Sequence, residues 1–385
     1  MVPAALHIQE LWDHIIDLLY QSQNDLHSCS LACRAFVARA QSHAFCEIQI
    51  ENRGQGNRLS AVLSSSPHLI SYILHLYFKN CGPLSISPLN TVPWSHLDTI
   101  TLQRHSFAPL YPHVIEELQV LVALPTIRRL RFRGPLWNPR DLFTIFSRRT
   151  TGLDQVDFDQ CYLRALPAHM RDDLPVPRTH KPHVHHLELN GAVVGEALVD
   201  PACPLDVSGL TYVQSRSPIM HPENLDLNLR SRATITTLEF SQIENLNDFR
   251  TTVDLSVFPA LRTIRLGEFC VKEHGTSEHP HPHPHIQMLA RLPKNNGMTT
   301  LSLTLFGPRW VAGQEPRPAI NVEALGHDLR ALEDVLTRPG SMAALLTVEA
   351  QVEVDAADVA GLVRTSMPVL HARGIISVDL VDDGE

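Results

Sequence analysis

The sequence predicts an α/β solenoid in which short parallel strands alternate with helical or irregular return segments, preceded by a small helical segment. Two observations predict this fold class. A pattern of three apolar residues, apolar-x-x-apolar-x-apolar, recurs along most of the 385-residue chain, and the first 50 residues instead carry apolar residues at helical spacing. Hydrophobic residues make up 44% of the chain and charged residues 19%, so the chain can bury an extended core.

The repeated pattern marks the expected strands. Its first positions are Ile73, Leu97, Ile127, Leu153, Val184, Leu210, Ile235, Leu261, Met298, Leu345 and Ile375. Most gaps between them are 24–31 residues, close to the period of leucine-rich repeats, and two copies place Cys161 and Cys81 where such repeats carry Asn or Cys. One repeat cannot bury its own apolar side, so neighbours must stack. We therefore predict an irregular leucine-rich-repeat solenoid over residues 51–385, with its parallel sheet on the concave face.

Several return segments are predicted to be helical. Residues 114–124 and 322–336 carry apolar residues on one helical face, and Pro139 favours the first turn of another helix. Residues 355–372 predict a further helix that Pro368 interrupts. Insertions rich in Pro and His separate some repeats, the longest at residues 274–285.

The amino-terminal residues 1–50 are predicted to form compact helices at 10–20 and 26–40, the second capped by Asn24 and Asp25. Their apolar coverage is broad for so small a unit, which predicts a partner outside it. The residues are IQELWDHIIDLL at 8–19, DLHSCSLACRAF at 25–36 and FCEI at 45–48. This segment resembles an F-box of the divergent type common among fungal F-box-like proteins.

The resemblance implies that the helices dock on the adaptor subunit of a cullin-RING ubiquitin ligase while the rest of the chain holds a protein substrate. It assigns apolar adaptor contacts and one basic position beside them. These adaptor-binding residues are Ile8, Leu11, Ile15, Leu26, Leu31, Phe36 and, as the basic position, Arg34. The alternative from the residues alone is that these helices only cap the exposed first repeat, which repeat arrays require.

The residues between the apolar positions of each strand predict the substrate-binding surface, because successive side chains of a strand alternate between faces. In neighbouring parallel strands Arg131 should lie opposite Asp157 and Arg133 opposite Asp159. Lateral ion pairing on a solvated sheet is the favoured interpretation of these charges, and a charged recognition patch is the alternative. The candidate substrate-binding residues are Arg129, Arg131, Arg133, Asp157, Asp159, His186, Glu188, Tyr212 and Arg216.

Other classes of function are disfavoured. The formal charge of −9 argues against nucleic acid and anionic membranes as partners, and the sequence has no apolar stretch of the roughly 20 residues that a membrane span needs. Seven scattered cysteines without a CxxC pair predict reduced thiols and a cytoplasmic or nuclear protein. Catalytic and phosphate-binding motifs are missing, so we expect no enzyme activity and no cofactor. The histidines of residues 274–285 alternate with proline and predict only adventitious metal binding.

The predicted function is therefore that of a substrate-recognition subunit of an SCF-type ubiquitin ligase, acting in the ubiquitin conjugation pathway without catalytic residues of its own. Two alternatives remain. The chain could be a leucine-rich-repeat scaffold for protein interactions with no ubiquitin role, or an enzyme whose site lies in the insertions near residues 180–186 or 274–285.

Overall fold

A computed structural model of the chain describes most of its strands and helices. The described residues are 5–79, 86–104, 110–134, 137–163, 181–190, 192, 194–215, 230–240, 255–266, 284–292, 297–305, 322–338, 345, 347–352 and 357–380. They fall into two compact units. The first unit comprises Met1–Val184 with Asp200–Asp206, and the second comprises His185–Val199 with Val207–Glu385.

The first unit begins with three packed helices: α1 (Ala5–Leu18), α2 (Gln23–Ala32) and α3 (Arg34–Cys46). Ile16, Leu26 and Ala40 are the buried residues of their shared core. The single helix predicted over residues 26–40 is wrong, because Cys33 has extended backbone angles (φ −151°, ψ 138°) and separates α2 from α3. This break lets the two helices fold against each other.

Five parallel strands of the first unit hydrogen-bond in chain order: β1 (Glu47–Ile50), β2 (His75–Lys79), β3 (Thr99–Gln103), β4 (Arg129–Arg133) and β5 (Leu153–Asp159). Alternate residues such as Leu76, Ile100, Leu130 and Val156 are in register and fully buried. The predicted pattern of one buried and one polar face is thus present along these strands.

Helices of the first unit cover the apolar face of this sheet: α4 (Arg53–Ser65), α5 (Pro112–Val122) and α6 (Pro139–Phe146). Phe132 of β4 makes ring contacts with Phe146 of α6, with Trp137 and with Phe158 of β5, at centroid distances of 5.7, 5.1 and 5.2 Å. The helices that connect these parallel strands thus help to bury the apolar side of the repeats.

The second unit continues the same alternation. Its strands are β6 (Val184–Asn190, whose first residue belongs to the first unit), β7 (Tyr212–Ser215), β8 (Thr237–Phe240), β9 (Thr263–Leu266), β10 (Thr300–Leu305), β11 (Thr347–Val352) and β12 (Ile376–Leu380). Each pairs in parallel with the next. Its helices are α7 (Gly195–Val199), α8 (Pro284–Leu289), α9 (Val322–Thr337), α10 (Ala357–Ser366) and α11 (Pro368–Ala372).

The strand predictions are confirmed, since each of the eleven apolar triplets begins within two residues of one of the strands β2 to β12. The helices expected at 114–124, from Pro139 and at 322–336 are confirmed as α5, α6 and α9, and Pro368 begins a separate helix as expected. Strand β1 was not predicted, because its four residues fall inside the segment that resembles an F-box.

Two details secure the turns at the strand ends. The buried thiol of Cys161 donates to the carbonyl oxygens of Phe132, at 3.2 Å, and Asp159, at 3.4 Å, and burial raises its pKa. A cysteine at the inward position of the turn, as the repeat pattern predicts, therefore donates to a backbone carbonyl of the preceding repeat.

Gly134 has a positive φ of +96°, and a Cβ atom there would lie 1.9 Å from the carbonyl oxygen of Arg104. This turn therefore requires glycine.

Arg149 is a buried cation of the first unit that the sequence pattern does not predict. Its guanidinium donates to the carbonyl oxygens of Val122 and Ile127, each at 2.6 Å, of Gly152 at 2.7 Å and of Leu124 at 3.3 Å. Burial lowers the pKa of Arg149 to about 10, which leaves the group charged at neutral pH. The side chain thereby closes the carboxyl end of α5, where helical carbonyls lack partners of their own.

Candidate functional site

The helical segment exposes large apolar side chains. Leu11 and Leu18 of α1 are 58% and 69% exposed, and Leu31 of α2 is 74% exposed. Leu11, Ile15 and Leu18 are spaced by four and three residues, which puts them on one face of α1. Because such side chains gain free energy when they leave water, this face can bind an apolar partner surface.

The predicted adaptor-binding residues divide by burial. Leu11, Ile15, Leu31 and Arg34 are exposed, whereas Leu26 is fully buried. Leu26 packs against Ile16 and Ala40, so it stabilises the three helices and has no surface to offer a partner; its assignment as a contact residue is corrected accordingly. Helix α1 includes Ile8, whose side chain lies outside the described part of the structure.

Side-chain contacts between α1 and α3 hold the exposed face in place. The ring centroids of Trp12 and Phe36 lie 5.2 Å apart. Phe36 is half-buried and packs against the core of the three helices, so only part of its side chain is available to a partner. The Asp17 carboxylate accepts two hydrogen bonds from Arg39, at 2.5 and 2.6 Å, and lies 2.7 Å from Nε2 of His43. These partners hold the pKa of Asp17 well below its usual range.

The polar face of the sheet in the first unit consists of three rows of residues, in register across β2 to β5. The rows are His75-Thr99-Arg129-Gln155, Tyr77-Thr101-Arg131-Asp157 and Lys79-Gln103-Arg133-Asp159. Neighbouring parallel strands lie about 4.8 Å apart, so side chains within a row can contact one another.

The predicted charge pairs on this face are confirmed. Nε of Arg131 lies 2.8 Å from Oδ2 of Asp157, and Nε of Arg133 lies 3.7 Å from Oδ2 of Asp159. Arg129 lies 3.8 Å from Oδ2 of Asp98. The favoured interpretation, lateral ion pairing, therefore describes these contacts. Substrate contact by the same residues remains a prediction.

His75 and Tyr77 complete this face, although the sequence did not single them out. Nε2 of His75 lies 2.8 Å from the Thr101 hydroxyl, and Nδ1 lies 3.2 Å from the Glu47 carboxylate. Burial lowers the pKa of His75. The Tyr77 hydroxyl donates to Gln103, and the Arg133 guanidinium lies 6.0 Å from the Tyr77 ring centroid.

In the second unit the predicted residues His186 and Tyr212 are adjacent, with ring centroids 4.0 Å apart. The Tyr212 hydroxyl donates to the Glu239 carboxylate, which also accepts from Nε2 of Gln214 at 2.8 Å and lies 3.6 Å from Arg265. Burial raises the pKa of Tyr212 above its usual value. These five residues form a polar cluster on the face of β6 to β9.

The remaining predicted substrate residues are distributed differently. Glu188 is paired in register with Gln214 on the same face, whereas Arg216 lies outside the described residues. Glu239 and Arg265 were missed by the sequence reasoning. They lie at the same position of their repeats as Gln214, so extending the repeat alignment from the sixth copy to the seventh and eighth would have found them.

No metal or membrane feature emerges from the residues that the structure describes. Their His, Cys, Asp and Glu side chains form no group of three that could hold a metal ion. Of the histidine-rich segment at 274–285, only Pro284 and His285 are described, at the start of α8. No described helix has the length and hydropathy needed to cross a bilayer.

Comparisons of the chain with models of known protein families and with curated proteins give no match.

Proposed function

We propose that the protein is a substrate-recognition subunit of a cullin-RING ubiquitin ligase of the SCF type. Its F-box-like helices α1 to α3 dock on the adaptor subunit, and the polar face of its leucine-rich-repeat sheet binds a protein substrate. The protein promotes the reaction by holding a substrate beside the ubiquitin-charged conjugating enzyme, which raises the effective concentration of the reacting groups. In this role it needs no catalytic residues of its own.

The observation on which this proposal depends is the exposed apolar surface of α1 and α2. A segment that served only to cap the first strand would direct its apolar side chains toward the sheet, yet Leu11, Leu18 and Leu31 are directed into solvent. The helices reach their own packing through Ile16, Leu26 and Ala40, so the exposed residues are not needed for that core.

The polar face supports the substrate-binding half of the proposal. Within the first unit Tyr77 supplies aromatic area beside an arginine, and within the second unit Tyr212 supplies it beside a carboxylate. Aromatic and arginine side chains are enriched at the centres of protein–protein interfaces, so this composition suits a protein partner. The proposed setting is the cytoplasm or the nucleus, because the ligase acts there.

Adaptor binding tests the proposal directly. The full chain and a variant carrying Leu11→Asp and Leu31→Asp are each incubated with the purified adaptor, and the dissociation constant is measured by calorimetry. Burying two carboxylates without partners in an apolar interface is unfavourable, so we expect the variant to lose at least about 100-fold in affinity, which corresponds to roughly 2.7 kcal/mol.

The matched control replaces another exposed apolar residue, Val62 of α4, by aspartate. V62D should bind the adaptor as the unchanged protein does, and circular dichroism should show equal helix content in all three. Unimpaired adaptor binding by the Leu11/Leu31 variant, or none by the unchanged chain, would reject adaptor docking and favour the alternative of a repeat scaffold without a ubiquitin role.

A further inference from the structure

The chain is very poor in lysine. It contains 28 arginines and only four lysines, which are Lys79, Lys181, Lys272 and Lys294. Seventeen arginines in the described part of the chain are exposed, whereas neither of the two described lysines, Lys79 and Lys181, is more than partly exposed. Primary amines are therefore scarce on a surface that has many cations.

Both described lysines are engaged in contacts. Nζ of Lys79 lies 2.9 Å from the Glu51 carboxylate, and this partner raises the pKa of Lys79. Nζ of Lys181 donates to the carbonyl oxygen of Pro201 at 2.8 Å. A protonated, hydrogen-bonded amine is a poor nucleophile, because attack requires the neutral form with its lone pair available.

Geometry explains arginine at some positions but not at others. Arg149 donates to four carbonyl groups, and Arg39 makes a two-pronged contact with Asp17, so both use the planar fork that lysine lacks. The Arg128 side chain, in contrast, is 69% exposed, and its ion pair with Asp154 is a long one, at 3.9 Å from a carboxylate oxygen. Arg53 and Arg58 of α4 are exposed in the same way as Arg128. A lysine ammonium would serve equally well at these three sites.

We propose that this arginine-for-lysine bias protects the protein from modification by its own ligase, an inference that rests on the proposed function. In that reaction the neutral Nζ of a lysine attacks the thioester carbonyl that joins ubiquitin to the conjugating enzyme. The C–N bond forms, the C–S bond breaks, and the enzyme's thiol is released with the proton lost by the amine. Guanidinium groups stay protonated and do not react in this way.

The test compares three forms of the full chain in a reconstituted ligase that contains the adaptor, cullin-RING module, charged conjugating enzyme and ubiquitin. One form is unchanged, one carries Arg53→Lys, Arg58→Lys and Arg128→Lys, and the matched control carries glutamine at the same three positions. We expect the lysine variant to acquire ubiquitin at least about threefold faster than the unchanged chain. The glutamine variant should match the unchanged chain, because it loses charge without gaining an amine.

Two readouts separate the inference from the function beneath it. Adaptor binding and formation of free ubiquitin chains report on assembly of the active ligase. If these succeed and the unchanged chain is ubiquitylated as fast as the lysine variant, the protection is refuted while the proposed function stands. If the chain fails to bind the adaptor, both are refuted.

Discussion

Arg131 and Asp157 face each other across β4 and β5, with Nε of the arginine 2.8 Å from Oδ2 of the aspartate. The arginine side chain is 34% exposed and the aspartate side chain 11%, so the carboxylate is the more buried partner. Gln155 adds a second donor to Asp157 at 2.7 Å. The carboxylate therefore depends on these two neighbours for its solvation.

The Arg131–Asp157 pair should contribute modestly to stability. We expect Arg131→Met and Asp157→Asn each to lower the free energy of unfolding by about 1 kcal/mol, and the double variant to lose less than the sum, with a coupling of about 0.5–1.5 kcal/mol. Urea unfolding of the four proteins measures this coupling. Additive losses would show that the two side chains do not stabilise each other.

Replacing the buried Arg149 should have a larger effect. Arg149→Met removes the guanidinium donor from four backbone carbonyl oxygens, of which the Leu124 oxygen still accepts from the Ile127 N–H. We expect a loss of about 2–4 kcal/mol in unfolding free energy. The stability of Arg149→Lys should lie between that of the unchanged protein and that of Arg149→Met, because one ammonium group cannot reach all four oxygens. Thermal and urea unfolding measure both variants.

Arg128→Met provides the comparison, since it removes a highly exposed arginine from the same unit. Its expected change is within about 0.5 kcal/mol. Equal losses from Arg128→Met and Arg149→Met would mean that the carbonyl contacts of Arg149 add no specific stability.

Two glycines should respond in opposite directions to alanine. At Gly134 the positive φ and the 1.9 Å approach of a Cβ atom to the Arg104 carbonyl oxygen predict a loss of about 3 kcal/mol or more. At Gly361, inside helix α10, a Cβ atom meets nothing within 4 Å, so alanine should stabilise by about 0.5–1 kcal/mol. Opposite shifts of the urea midpoint are expected, and a tolerated G134A would contradict the close approach.

His75 should make stability depend on pH. Burial lowers its pKa below the usual 6.5 in the folded protein, so the unfolded chain binds the proton first as the pH falls. The free energy of unfolding that His75 contributes is therefore present above pH 6.5. It is lost as the pH drops from that value toward the lowered pKa.

Urea unfolding of the unchanged protein and of His75→Gln at about pH 7.5 and about pH 5 tests this dependence. Between the higher and the lower pH, the unchanged protein should lose more unfolding free energy than His75→Gln does. Glu47 raises the pKa of His75 while Arg131 and Arg133 lower it, so Glu47→Gln should enlarge the loss and extend it to lower pH, with the same onset near pH 6.5. Parallel pH profiles for the unchanged protein and H75Q would contradict the assignment.

The sequence was sufficient to locate β2 to β12, because the last two residues of each apolar triplet are two positions apart and so mark the buried face of a strand wherever the triplet recurs. The same alternation predicted that Arg131 would oppose Asp157. It could not predict β1, since Glu47–Ile50 is too short and its apolar residues continue those of α3. The helix break at Cys33 could not be predicted either, because neither Gly nor Pro occurs at or beside this residue.

By itself, then, the sequence determined the strand positions, their parallel order within each unit and which residues share the polar face, since these properties depend on spacing along the chain. Only the tertiary structure decided which apolar residues of the helices are exposed: Leu26 is buried and Leu31 is not, although both were assigned to the same surface. It also revealed that Arg149 binds four carbonyl groups. Burial and hydrogen bonding depend on which segments meet in space, and local spacing does not contain that information.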